Sequence, residues 1–363
     1  MSDRLDQMEA FINDAGWALA VREPIQGDAS TRSYQRLSMD GRHAVLMNAP
    51  RGKEGAGEPD GASVEQRRAI GYNALARLAG PNMEAFLVVA DQLRMRGFSA
   101  PEIIHADVEA GFALLGDFGS GVYAQIVGAD PSREAELYEA AVDCLAAIYR
   151  SSLPRRAEWG GSPWTIRDYD EAALLAETDL FLDYYAPDAG RAIGQAERAQ
   201  FYDLWRAAFR TLDAHAPGLA LRDFHAENLF WLPEREHEAR VGLIDFQDAL
   251  FAHPSYDLSS LLEDIRRDVN EELFEPLKRR FCEGAGVAYD DAFQAAYAVQ
   301  SAQRATKLLG FPVRADVDFG KPQYRVLLPR VRRHLQRGLS HPACADLRGW
   351  FEEYCPNALE GES

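Results

Sequence analysis

The segment Leu221–Leu232, LRDFHAENLFWL, followed shortly by Val241–Ala249, VGLIDFQDA, decides how this chain is read. Two β-like runs, Asn228–Trp231 and Val241–Ile244, frame a polar loop inside a region that is otherwise helical in pattern. Asp223 and Asn228 are five residues apart in that loop, and Asp245 closes the second apolar run. Taken singly, each has an ordinary reading, because Asp and Asn close turns. Their order, spacing and apolar framing together suit phosphoryl transfer. That reaction asks the protein for a positioned hydroxyl, a base and neutralised phosphate charge. One carboxylate can take the hydroxyl proton. The second, with an amide oxygen, supplies hard ligands for Mg²⁺, an ion that keeps waters and substrate phosphates in its remaining positions.

Outward from this island, apolar residues at three- and four-residue spacing predict helices on both sides. They cover Arg133–Tyr149, Tyr169–Tyr184, Glu197–His215, Asp257–Arg267, Glu271–Glu283, Asp290–Leu309 and Gln323–Arg337. The N-terminal part reads differently. A helical rhythm over 3–16 precedes two strands, Tyr34–Ser38 and His43–Met47, and the Asp40-Gly41 pair between them is a hairpin signal. The Gly/Pro-rich stretch 50–61 predicts a loop, followed by helices over Ser63–Leu78 and Met83–Arg96. Glu102–Ala106 and Phe112–Leu115 predict two more strands. The expected class is therefore α+β and two-lobed. A β-rich N-lobe spans 1–115, a hinge 116–118, and a helical C-lobe 119–363 with the catalytic loop and acceptor site.

Composition excludes several classes. With 363 residues, 47% of them apolar and 26% charged, the chain can bury a core. A formal charge of −18 argues against a general nucleic-acid binder, which needs basic surface. It says little about ATP, which needs only local donors and a metal. No run reaches the roughly 18–20 apolar residues of a membrane span, and MSDRLDQMEAFINDAGW does not read as a secretory signal. Cys144, Cys282, Cys344 and Cys355 are scattered, without a metal or disulfide pattern, which points to a reducing cytoplasm.

The two opening segments resemble the catalytic loop and metal motif of the aminoglycoside phosphotransferase and choline kinase group, which has the protein-kinase-like fold. GDASTRSYQR at 27–36, FSAPEIIHADVEAGFALLGDFG at 98–119 and IDFQDALFAHPSYDLSSLLED at 244–264 are similar to one branch of it. That branch comprises the bacterial anomeric kinases for N-acetylmuramate and N-acetylglucosamine, which serve cell-wall recycling. The resemblance implies ATP and Mg²⁺ as cofactors and an amino sugar as acceptor. Asp223 would be the base, and Asn228 and Asp245 the metal ligands. Gly27, Asp28, Ala29, Ser30, Thr31 and Arg32 would belong to the nucleotide-covering loop. Leu115 and Asp117 would serve adenine and ribose at the hinge. Arg222, His225, Glu227 and Trp164 are acceptor-site candidates, each with an ordinary structural reading beside it. Asp257, in PSYDLSSLL, resembles the family Asp that holds the catalytic loop from a helix start.

Two positions depart from the family pattern. Met47 stands where a kinase carries its phosphate-binding Lys; Arg32 at the loop, or Arg51 and Lys53 after the strand, would then supply that charge, beside the ordinary reading of Lys53 as a solvated loop cation. Leu221 stands where a loop-supporting His is common. Other readings are a kinase for another small alcohol (an aminoglycoside, choline or homoserine) or a catalytically silent nucleotide-binding regulator. The intact Asp223, Asn228 and Asp245 speak against the silent module.

Overall fold

The computed structural model describes residues 2–25, 32–50 and 55–360. By its contacts the chain divides into two compact units. One comprises Met1–Cys144, Ser151–Arg167 and Glu227–Ala249, the other Leu145–Arg150, Asp168–Ala226 and Leu250–Ser363.

The first unit is built on an antiparallel sheet of strands β1 (Val21–Ile25), β2 (Ser33–Met39), β3 (Arg42–Asn48), β4 (Ile103–Asp107) and β5 (Phe112–Gly116), in the order β1-β2-β3-β5-β4. The β2–β3 hairpin closes with Met39 opposite Arg42. Asp40 and Gly41 both have positive φ, 50° and 73°, the twist a two-residue hairpin turn requires. β1 lies outside the predicted strands; Pro24 and its four exposed positions mask the alternation that would announce it. Met8, Phe11 and Ile12 of the helix Ser2–Asp14 pack with Leu37, Ala44, Leu46, Phe112 and Leu114, covering one sheet face. The helix expected over Ser63–Leu78 is two pieces. Val64–Ile70, opened by a Ser63/Gln66 capping box, ends at Gly71 with φ 127°, and a π turn follows over Asn73–Arg77. A hairpin of Arg156–Trp159 with Ser162–Thr165, turning through Gly160 and Gly161, falls in a stretch without a predicted strand.

The second unit is helical around Asp291–Phe319, a 29-residue helix. It outruns the predicted end at Leu309 and passes through Pro312, stopping at Gly320 with φ 63°. Gly310 makes this packing possible: a Cβ there would lie 2.0 Å from the Leu180 carbonyl oxygen. Beyond the predicted strands, Gly218–Ala220 pairs with Leu250–Ala252, bracketing the opening segments from both ends. The helix expected over Asp257–Arg267 runs over Ser255–Leu262. Among the described residues no helix is long and apolar enough to cross a membrane. All four cysteines are buried and free.

Candidate active site

In the first unit, Leu229–Trp231 pairs antiparallel with Val241–Leu243, and Ile244 N–H donates to the Asn228 carbonyl (3.2 Å). Asn228 and Asp245 thus flank one end of a two-stranded ladder. Asp245 adopts φ 59°, an uncommon conformation for a residue with a side chain and one that clusters at functional sites. Phe246 holds it there, fully buried and stacked on Phe86 of the helix Met83–Arg94 at 5.0 Å. Gln247 Nε2 donates to Asp245 Oδ1 (3.0 Å). Next along the chain, Asp248 accepts from Arg77 Nε and a terminal guanidinium nitrogen at 3.2 and 2.8 Å.

The cation beside this motif is Arg32. Its guanidinium lies 3.7 Å from Asp245 Oδ1, and its side chain is only 8% exposed. Tyr34, two residues on, accepts a hydrogen bond from Arg32; burial, with Asp245 adding to it, pushes its hydroxyl above the ordinary range. Tyr34 faces Met47 across the sheet. The apolar Met47, 1% exposed, therefore fills the core at the lysine position while the adjoining strand brings a cation to Asp245. Gly27, Asp28, Ala29, Ser30 and Thr31, like Arg51 and Lys53, lie outside the described residues.

Leu115 is interior to β5, paired with Val45 on one side and Ile103 on the other. The Asp117 carboxylate is engaged by an Arg36 fork (2.6 and 3.2 Å) and by Gly119 N–H (2.8 Å). Trp164 is buried in its hairpin, with the Arg167 guanidinium 5.7 Å from its ring. Glu227 is exposed.

In the second unit, Asp257 in the first turn of its helix holds the loop. Its Oδ2 accepts Leu221 N–H (2.5 Å) and its Oδ1 accepts Arg222 N–H (2.9 Å). Burial pushes this carboxyl up to about 7, against those two donors and Arg304. The loop support that Leu221 leaves in question thus comes through its backbone, with its side chain packed in the core. Arg222 takes φ 71°. Its guanidinium, 4% exposed, pairs with Glu177, a fully buried carboxylate that Tyr169 and Lys307 also engage, Lys307 at 2.6 Å. Burial pushes Glu177 up, but Lys307 and Arg222 outweigh it and hold it at about 2. Half-buried Asp223 follows Arg222, and its carbonyl accepts His225 N–H (3.2 Å). Burial, reinforced by Arg266 and Arg304, pushes His225 well below its ordinary range, so it is neutral.

Of the residues singled out in the sequence, Arg32 joins Asp245, Asn228 adjoins it, and Arg222 serves Glu177 and Asp257. Sequence reading missed Glu177, Lys307, Arg304 and the Arg77–Asp248 pair. The available signal was charge inside apolar helical runs, as in EAALLAETDLF and AYAVQSAQRATKLLGF.

Residues 21–299 match the phosphotransferase enzyme family. The chain is 38% identical over 355 residues to the N-acetylmuramate/N-acetylglucosamine kinase of Caulobacter vibrioides, covering 98% of each. Among solved structures, a choline/ethanolamine kinase family protein from Mesorhizobium loti superposes with TM-score 0.55 at 16% identity, over 96% of this chain and 98% of that one. The aminoglycoside phosphotransferase APH(2'')-Ib superposes with TM-score 0.54 at 12% identity, over 93% and 97%. These last two likenesses bear on the fold, which is the protein-kinase-like one of these enzymes.

Proposed function

We propose an acceptor and a set of residue roles for this chain, which belongs to the phosphotransferase enzyme family. It is an ATP-dependent sugar kinase that phosphorylates the anomeric hydroxyl of N-acetylmuramate or N-acetylglucosamine, giving the sugar 1-phosphate and ADP. The observation that carries the acceptor is the 38% identity, over 98% of both chains, to a kinase named for those two sugars. A cytoplasmic role in cell-wall sugar recycling follows from that acceptor, and the four free cysteines suit a reducing compartment.

Asp223 accepts the proton of the attacking hydroxyl, and the Asp257 and Glu177 contacts to the preceding residues fix its backbone. An anomeric hydroxyl is more acidic than an ordinary alcohol, which eases that transfer. The Asn228 amide oxygen and the Asp245 carboxylate fit a hard divalent cation, Mg²⁺, which prefers few protein ligands. When bound, that ion neutralises phosphate charge. Arg32 supplies further positive charge at Asp245, in the place of the lysine missing at Met47. The segment Gly27–Thr31 covers the nucleotide, and residues 116–118 form the hinge between lobes 1–115 and 119–363. Asp117, held by Arg36 and Gly119, fixes the middle of that hinge, two residues after Leu115.

The test is ADP release across N-acetylmuramate, N-acetylglucosamine, choline, kanamycin and homoserine, with product analysis. The expected product from either amino sugar has lost its reducing end, as phosphate at the anomeric carbon requires. A phosphorylated sugar that keeps its reducing end refutes the anomeric assignment. Turnover of choline or kanamycin alone refutes the acceptor.

A further inference from the structure

Among the described residues of the second unit, two buried arginines, Arg222 and Arg304, and half-buried Lys307 lie near the catalytic loop. Arg222 and Lys307 both reach Glu177. Arg304 is different. It lies on the helix Asp291–Phe319 and is 7% exposed, and its Nε is buried without a hydrogen-bond partner. No hydrogen bond or ion pair to a described residue engages its guanidinium. The Tyr256 ring lies 5.8 Å from it. Tyr256, Asp223, Glu177 and Asp257 all act electrostatically on it, but Glu177 is taken by two other cations and Asp257 by two backbone donors.

A guanidinium cannot shed its charge at neutral pH. The surrounding acidic groups outweigh burial and hold that charge, yet none pairs with it, so its N–H donors lack an acceptor among the described residues and can receive an anion's oxygens. Gln300 Oε1, one turn earlier on the same helix, adds unmet polar capacity, being buried without a hydrogen-bond partner; the Asp264 carboxylate, on which Arg304 also acts, takes Arg266 N–H at its Oδ1 (2.8 Å). The sugar reading offers two oxyanions, the acceptor's carboxylate and the transferred phosphoryl group. The proposed roles already give the phosphoryl group Arg32, with Asn228 and Asp245 as the residues that would hold a metal ion. Arg304 acts on Asp223, the residue assigned to the acceptor hydroxyl. Of the two acceptors, N-acetylmuramate carries a lactyl carboxylate and N-acetylglucosamine has none.

We propose that Arg304 is the specificity residue for an acidic sugar, receiving the acceptor's carboxylate in a bidentate pair while Gln300 Oε1 accepts from a sugar N–H or O–H. This rests on the sugar-kinase reading above. It makes the carboxylate-bearing sugar the preferred acceptor, because a site built for a polar group discriminates strongly against an analogue lacking it.

The experiment compares wild type, Arg304→Gln and Arg304→Lys. Steady-state kinetics with both sugars gives the ratio of kcat/KM for N-acetylmuramate over N-acetylglucosamine. In Arg304→Gln that ratio falls by about 10–100-fold, carried by KM for the acidic sugar, with partial retention in Arg304→Lys. An equal fall for both sugars carried by kcat, which would assign the guanidinium to the phosphoryl group, overturns the proposal. So does an unchanged ratio. Thermal shift without ATP separates this inference from the function itself. Wild type gains more from N-acetylmuramate than from N-acetylglucosamine, and Arg304→Gln loses that excess. If wild type turns over neither sugar, the sugar-kinase reading falls, while a carboxylate-dependent shift abolished by Arg304→Gln still supports the site. A wild-type shift that is the same for both sugars overturns it. The ligand-free melting temperature of Arg304→Gln, expected at or above wild type, shows that the variant folds.

Discussion

Replacing Asp257 by Asn perturbs the catalytic loop at one atom. Asp257 is 2% exposed, and each of its carboxylate oxygens accepts one loop N–H. Burial raises its carboxyl from 3.8 to about 7, so the folded state holds this proton more tightly than the unfolded chain does. The sign follows from that order. The group's stabilising contribution is complete below about 4 and is lost as pH rises through about 7. Between pH 5 and 8 the loss amounts to about 3 kcal/mol. Asn resembles the protonated acid in shape and charge. The stability of the variant relative to wild type should therefore rise by about 3 kcal/mol between pH 5 and pH 8. Activity should move the other way. Only the ionised carboxylate accepts both N–H groups, so wild-type kcat should fall on the acid side of about pH 7, whereas the variant is slow and lacks that limb. Denaturant unfolding at four pH values and a pH–rate profile check both halves. Equal destabilisation of Asp257→Asn at pH 5 and pH 8 would refute the reasoning, because the two N–H donors would then outweigh burial.

Two further outcomes follow from the same loop. Asp223→Asn should lower kcat by about 10²–10⁴-fold while ATP affinity by calorimetry stays within about 3-fold, the pattern of a lost general base; turnover near wild type removes Asp223 from that role. Glu177→Gln leaves buried Arg222 and half-buried Lys307 without their shared anion, and should cost about 3–5 kcal/mol in denaturant unfolding at pH 7. Held at about 2 against an ordinary 4.5, Glu177 stabilises the fold above pH 4.5, and that contribution fades as pH falls through about 2. A cost below about 1 kcal/mol would mean that water or another carboxylate replaces it.

Much of this protein was legible in its sequence because the deciding signals are local. Asp40-Gly41 announces a hairpin since positive φ at two consecutive residues is a property of those residues alone. Helical periodicity marks a buried face without reference to what covers it, and the Asp223–Asn228 and Asp245 spacing sits within two short, framed segments. Tertiary structure decided what such patterns leave open: which distant group stands opposite. Nothing local says that Arg32 meets Asp245, that Gly218–Ala220 pairs with Leu250–Ala252, or that Gly310 packs against the Leu180 carbonyl. The same holds for charge in the core. The sequence places Glu177, Lys307 and Arg304 in apolar helices, but only folding pairs the first two with each other and leaves Arg304 without an ion pair among the described residues, since pairing depends on three-dimensional proximity and burial on every neighbour at once.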